Sequence, residues 1–96
     1  MTTKTITIDT LVDDYAQDIA AEAGLDAADY PRTADGLARL LIDTAADMPA
    51  GQVHDWLTDA AADLNAYHRT NAAGDQARTL LNQVDARLYE AHYDLT

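Results

Sequence analysis

Apolar residues recur three or four positions apart over most of the chain, which is the spacing that places them on one face of an α-helix. Four segments follow this spacing, at about residues 10–23, 34–48, 50–69 and 75–94. Short links separate the segments, as expected for helices that pack against their neighbours. The pattern predicts an all-α fold, a small bundle of about four amphipathic helices in one acidic domain over residues 1–96.

Residue types that begin and end helices fall near these boundaries. We expect Asp9 or Thr10 to cap the first helix and Gly24 to end it. Thr33 is expected to cap the second helix, and Pro49 either ends that helix or opens the third.

The N-terminus has a different pattern, because threonine and isoleucine alternate there with a period of two. This alternation predicts a short strand or extended arm over residues 3–8. The chain has no second strand-like segment that could pair with it. The arm is therefore expected either to lie along the helices or to pair with a copy of itself in a homodimer.

The predicted apolar faces identify a candidate core. Trp56 lies on the apolar face of the third helix, and we expect it to anchor that core rather than to contact a partner. The face predicted for the first helix consists of Val12, Tyr15, Ala16, Ile19 and Ala23.

The charge of the chain is unusual for its length. Seventeen acidic residues against six basic ones give a formal net charge of −11, whereas small well-behaved domains carry a net charge of about 2–8 in magnitude. Such an excess repels nucleic acids and anionic membranes, so we expect direct binding to neither. A basic protein surface is the expected partner. A salt-adapted or GC-rich host is the alternative explanation for the composition.

The acidic residues are arranged in rows, since each predicted helix carries acids four positions apart on the same flank of its apolar face. Like charges at this spacing destabilise a helix by about 0.2–0.5 kcal/mol per pair. Their carboxylates recur about every 6 Å along the helix axis, a charge repeat similar to that of a nucleic-acid backbone. The rows comprise Asp14, Asp18 and Glu22; Asp43 and Asp47; Asp55, Asp59 and Asp63; and Glu90 and Asp94.

Two tyrosines, Tyr89 and Tyr93, lie one turn apart and away from the apolar face of the fourth helix. Because tyrosine is enriched in binding hot spots, they are a second candidate contact patch. The alternative is that they pack against the loop containing Tyr30. We expect the partner-binding residues to come from this pair and from the acidic rows of the first three helices.

No pattern in the chain indicates catalysis. The three histidines lack the spacing of a helical zinc site, the chain has no cysteine, and no nucleotide-binding or nucleophile motif occurs. We therefore expect no enzymatic activity, no metal and no cofactor. The absence of a long apolar stretch and of a secretory signal leads us to expect a cytoplasmic protein without a membrane span.

In size, acidity and lack of a catalytic motif, the chain resembles the small inhibitors that phages and plasmids encode, including anti-CRISPR proteins and DNA-mimic antirestriction proteins. The resemblance rests on charge and size over the whole chain and involves no shared motif. It implies a non-enzymatic inhibitor that presents acidic helix faces to a basic, nucleic-acid-type site on its partner. The alternative is a helical adaptor or dimerisation module whose acidity reflects its host.

Overall fold

The predicted bundle of four helices is confirmed by the structure, a computed structural model that describes residues 6–70 and 73–95. Helix α1 runs through three consecutive segments, an α-helix at Ile8–Leu11, a π-helix at Val12–Ala16 and an α-helix at Gln17–Glu22. After a 3-10 turn at Ala27–Asp29 come helices α2, α3 and α4, which span Ala34–Ala46, Gln52–Thr70 and Gly74–Leu95. No strand occurs among the described residues.

The three longer helices form the main part of the bundle. Helix α3 packs extensively on both α2 and α4, while α1 contacts α2 and α4. Thr44 is fully buried within this core, where its hydroxyl donates a hydrogen bond of 2.8 Å to the Leu40 carbonyl oxygen. Trp56 is half-buried and packs against the core, as predicted. The largest fully buried side chains are Leu11, Ile19, Leu37, Leu40, Leu41, Leu57, Leu64, Val84 and Leu88.

Helix α1 begins earlier than the sequence predicts. Its N-cap is Thr7, not Asp9 or Thr10: the Thr7 hydroxyl accepts a hydrogen bond of 3.2 Å from the Thr10 amide. The Thr10 hydroxyl in turn accepts one of 2.7 Å from the Thr7 amide, which completes a capping box. The predicted strand is therefore wrong at Ile8, which is helical, and its residues 3–5 lie outside the described part of the chain.

The π-helical segment shifts the core face of α1. Leu11 and Ala16 are five residues apart and each is 1% exposed, which fits the five-residue hydrogen-bonding step of a π-helix. A strict α-helical period does not place these two positions together. The predicted face is corrected accordingly, because Leu11 and Ala20 are buried whereas Val12, Tyr15 and Ala23 are half-buried.

Two further helix ends follow from local chemistry as predicted. Gly24 has a φ of 73°, and the Leu25 amide donates to the Ala20 carbonyl oxygen at 2.9 Å, as in a glycine-terminated helix. The Thr33 hydroxyl caps α2 by accepting a hydrogen bond of 3.0 Å from the Gly36 amide. Pro49 lies in the link between Ala46 and Gln52, so it opens no helix and α2 ends before it is reached.

Candidate functional site

The acidic row of α3 contains two kinds of carboxylate. Asp55 and Asp59 are exposed on the outer surface of the helix. Asp63 instead forms an ion pair with Arg87 of α4, and only 20% of the Asp63 side chain and 33% of the Arg87 side chain are exposed. Asp63 therefore joins two helices, whereas Asp55 and Asp59 present their charge to solvent.

The row of α4 lies beside that of α3. These helices pack along each other and are joined by residues 71–73 alone, so they run in opposite directions. The ion pair of Asp63 and Arg87 joins the two helices. On the same side of this pair, Asp59 and Asp55 lie one and two turns before Asp63 on α3, and Glu90 and Asp94 lie one and two turns after Arg87 on α4. All four side chains are exposed. We call these four residues the α3–α4 acidic face.

The row of α2 is also divided. Asp43 accepts a hydrogen bond of 2.6 Å from the Tyr30 hydroxyl, and this bond raises the pKa of Tyr30. Asp47 is exposed and is the C-cap residue of the helix, where a negative charge meets the negative end of the helix dipole. The contact between Tyr30 and Asp43 holds the loop before α2 against that helix.

The row of α1 borders α4. Asp14, Asp18 and Glu22 are all exposed. The Asp18 carboxylate lies 3.0 Å from Nε2 of His92 on α4, yet 66% of the Asp18 side chain is exposed. The ring of Tyr15 makes an edge contact with that of His92, with 6.0 Å between ring centroids. These contacts fix the acidic flank of α1 along α4.

Tyr15 lies within this seam and has a perturbed hydroxyl. That hydroxyl donates a hydrogen bond of 3.1 Å to Oδ1 of Asp85. Burial, followed by the charge and hydrogen bond of Asp85, raises the pKa of Tyr15 to about 12, with smaller contributions from Asp14 and Tyr89. The contribution of Tyr89 indicates that this tyrosine borders the same seam.

The predicted tyrosine patch is exposed. Tyr89 is 57% and Tyr93 is 72% exposed. They share a flank of α4 with Asp85 and His92, since these positions follow helical spacing. Asp18 of the α1 row and Tyr89 of the tyrosine patch therefore border the same seam.

Four residues that hold these surfaces in place are absent from the predicted binding set: Tyr15, Asp85, Arg87 and His92. The helical spacing of Asp85 and His92 relative to Tyr89 places them on one flank, but it does not show which helix faces that flank. Within the described ranges, no three histidine or acidic side chains converge to hold a metal ion. Asp14 and Asp85 do line a surface depression of about 290 Å³ together with Tyr15 and Thr10.

Two further findings concern the chain as a whole. Among the described residues, no helix combines the length and apolar character needed to cross a membrane. Comparisons with models of known protein families, with characterised proteins and with solved structures found no match.

Proposed function

We propose that this protein is a non-enzymatic inhibitor that occupies a basic, nucleic-acid-type site on a protein partner. The observation that supports this proposal is the α3–α4 acidic face, where Asp55, Asp59, Glu90 and Asp94 are exposed on two adjacent helices. Within the part of the chain that the structure describes, none of the four forms an ion pair with a lysine or arginine. Asp55 lies 3.7 Å from Nδ1 of His54, yet 76% of its side chain is exposed. The exposed carboxylates of this face could therefore contact a partner.

The mechanism rests on charge and rigidity. Carboxylates one turn apart repeat about every 6 Å along a helix, and a site lined with lysine and arginine binds such a repeat in place of phosphates. Because the helices are already folded, little conformational entropy is lost when the acidic face binds. Long-range attraction accelerates association, and salt weakens it.

The finer proposal concerns the biological setting. A DNA-mimic antirestriction protein or an anti-CRISPR protein, encoded by a phage or plasmid and acting in the cytoplasm, has the size and acidity of this chain. The partner is then a nuclease or surveillance complex, and inhibition consists of blocking its nucleic-acid channel.

The test compares two variants with the same change in charge. The first, D55N/D59N/E90Q/D94N, removes the α3–α4 acidic face. The control, D26N/D29N/D35N/D75N, neutralises four exposed acids outside the rows. The assay measures cleavage of plasmid DNA by purified restriction nucleases and an RNA-guided nuclease, with increasing inhibitor and at several salt concentrations.

We expect the wild-type protein to inhibit at least one of these nucleases, with affinity that falls as salt rises. The first variant should lose about tenfold or more in affinity, since several charge contacts disappear together. The control should retain most of the inhibition. Equal losses in the two variants, salt-independent inhibition, or no inhibition of any nuclease would each contradict the proposal.

A second candidate function is a helical adaptor or dimerisation module whose acidity reflects a salt-adapted or GC-rich host. The exposed pair Tyr89 and Tyr93 favours it, because large aromatic side chains on a helix surface commonly contact a partner. In that case the D55N/D59N/E90Q/D94N variant retains full partner binding. Sedimentation of the wild-type protein separates a dimerisation module from an adaptor.

A further inference from the structure

We propose that the seam between α1 and α4 is a docking surface for an arginine-bearing segment of a protein partner. Its residues, which we call the tyrosine–acid face, are Asp18, Glu22, Tyr89 and Tyr93. This proposal does not rest on the α3–α4 acidic face or on inhibition of a nuclease, because it concerns a different flank of α4.

The seam carries exposed aromatic rings on α4 and exposed carboxylates on the adjoining flank of α1. Tyr89 and Tyr93 are 57% and 72% exposed and lie one turn apart. The Asp18 carboxylate lies 3.0 Å from Nε2 of His92, the residue before Tyr93, and still exposes 66% of its side chain. Glu22 is exposed one turn further along α1. The contacts of Tyr15 with Asp85 and His92 form the base on which this arrangement is fixed.

This combination matches the chemistry of a guanidinium group. An arginine side chain stacks its planar head on an aromatic ring and directs paired N–H groups to a carboxylate at the edge of that ring. A lysine ammonium is compact and strongly hydrated, so it loses more by leaving water and cannot stack in the same way. Carboxylates alone attract both cations, whereas the tyrosines favour arginine.

Charge complementarity also decides against other occupants. A second copy of this chain would bring a net charge of −11 towards the same charge, and a symmetric contact at this seam would place Asp18 and Glu22 against their equivalents. Nucleic acid and anionic lipid are repelled for the same reason. A basic polypeptide segment remains the occupant that the surface fits.

The experiment uses two labelled probes, an alanine-based helical peptide with arginines one turn apart and its twin with every arginine replaced by lysine. Their affinities for the full-length protein are measured by fluorescence anisotropy. We expect the arginine peptide to bind about fivefold more tightly. The Y89A/Y93A variant should bind both peptides equally, while Y89F/Y93F should keep the preference because the ring rather than the hydroxyl makes the contact.

Controls locate the contact and separate it from the nuclease test. The D55N/D59N/E90Q/D94N variant should bind both peptides more weakly but keep the preference for arginine. Amide NMR shifts caused by the arginine peptide should centre on residues 18–22 and 89–93. The proposal would be overturned if the wild-type protein bound the two peptides with equal affinity, or if Y89A/Y93A kept the preference for arginine. It would also be overturned if D55N/D59N/E90Q/D94N lost that preference. Circular dichroism verifies that each variant is folded.

Discussion

Asp59 and Asp63 belong to the same acidic row, yet the structure predicts that neutralising them has opposite effects on stability. Asp59 is exposed between two acids, at i−4 and i+4. Replacing it with asparagine removes repulsion of about 0.2–0.5 kcal/mol per pair. Because Arg87 already compensates the charge of Asp63, only the pair with Asp55 counts, and we expect Asp59→Asn to raise the free energy of unfolding by about 0.2–0.5 kcal/mol.

Asp63→Asn acts on a half-buried ion pair. An exposed pair contributes about 0.2–1 kcal/mol, whereas removing one partner of a fully buried pair costs about 3–5 kcal/mol. The exposed fractions of the two side chains, 20% for Asp63 and 33% for Arg87, lie between these cases. We therefore expect Asp63→Asn to lower the free energy of unfolding by about 1–2 kcal/mol.

Thermal and urea unfolding, followed by circular dichroism, measure both effects. For a domain of this size, 1 kcal/mol corresponds to about 4–8 °C in Tm. Asp59→Asn should therefore raise Tm by about 1–4 °C at low salt, with the gain disappearing at high salt. Asp63→Asn should lower Tm by about 4–16 °C and remain destabilising in salt. The reasoning is refuted if Asp63→Asn is as stable as wild type, or if both variants shift in the same direction.

Two further predictions concern the loop before α2 and the seam of α1. A Cβ at Gly36 would lie 2.1 Å from the Pro31 carbonyl oxygen, so Gly36→Ala should lower the free energy of unfolding by about 1–3 kcal/mol, measured by urea unfolding. Gly51→Ala is the control, because a Cβ at Gly51 meets nothing within 4 Å. An equal loss of stability in the two variants would contradict the prediction. Because the pKa of Tyr15 rises from 10.0 to about 12 on folding, its neutral form stabilises the protein fully below pH 10 and progressively less from pH 10 towards 12. Tyr15→Phe should therefore show a shallower alkaline loss of stability, and an unchanged pH profile would refute the assignment.

The fold could be predicted where local chemistry decides it. Residue type alone predicts that Gly24 ends α1 and that Thr33 caps α2. A helix C-terminus with positive φ favours glycine, and an N-cap needs a side chain that can accept a hydrogen bond. The start of α1 could not, because alternating threonine and isoleucine indicate a strand as readily as a helix. The reciprocal bonds of Thr7 and Thr10 decide in favour of the helix.

The candidate site shows a similar division. A helical wheel correctly placed Asp55, Asp59, Tyr89 and Tyr93 on the surface, since exposure follows from position relative to the apolar face. It could not pair Asp63 with Arg87, nor the seam residues of α1 with those of α4. Such pairs depend on which helices are neighbours and on the extra residue in the π-helical turn. The spacing of apolar residues within a single helix reveals neither of these features.

The position of the acids along their helices bears on whether their charge serves solvation or binding. Asp35 and Asp75 lie in the first turns of α2 and α4, where a carboxylate is stabilised by the helix dipole. Asp59 is repelled by its neighbour Asp55, and Asp94 lies near the negative end of α4. In a salt-adapted host, first-turn acids would solvate the protein equally well and at lower cost. Asp55 lies in the first turn of α3 and is favoured in the same way. The unfavourable positions of Asp59 and Asp94 are what we expect if the proposed partner binds the α3–α4 acidic face.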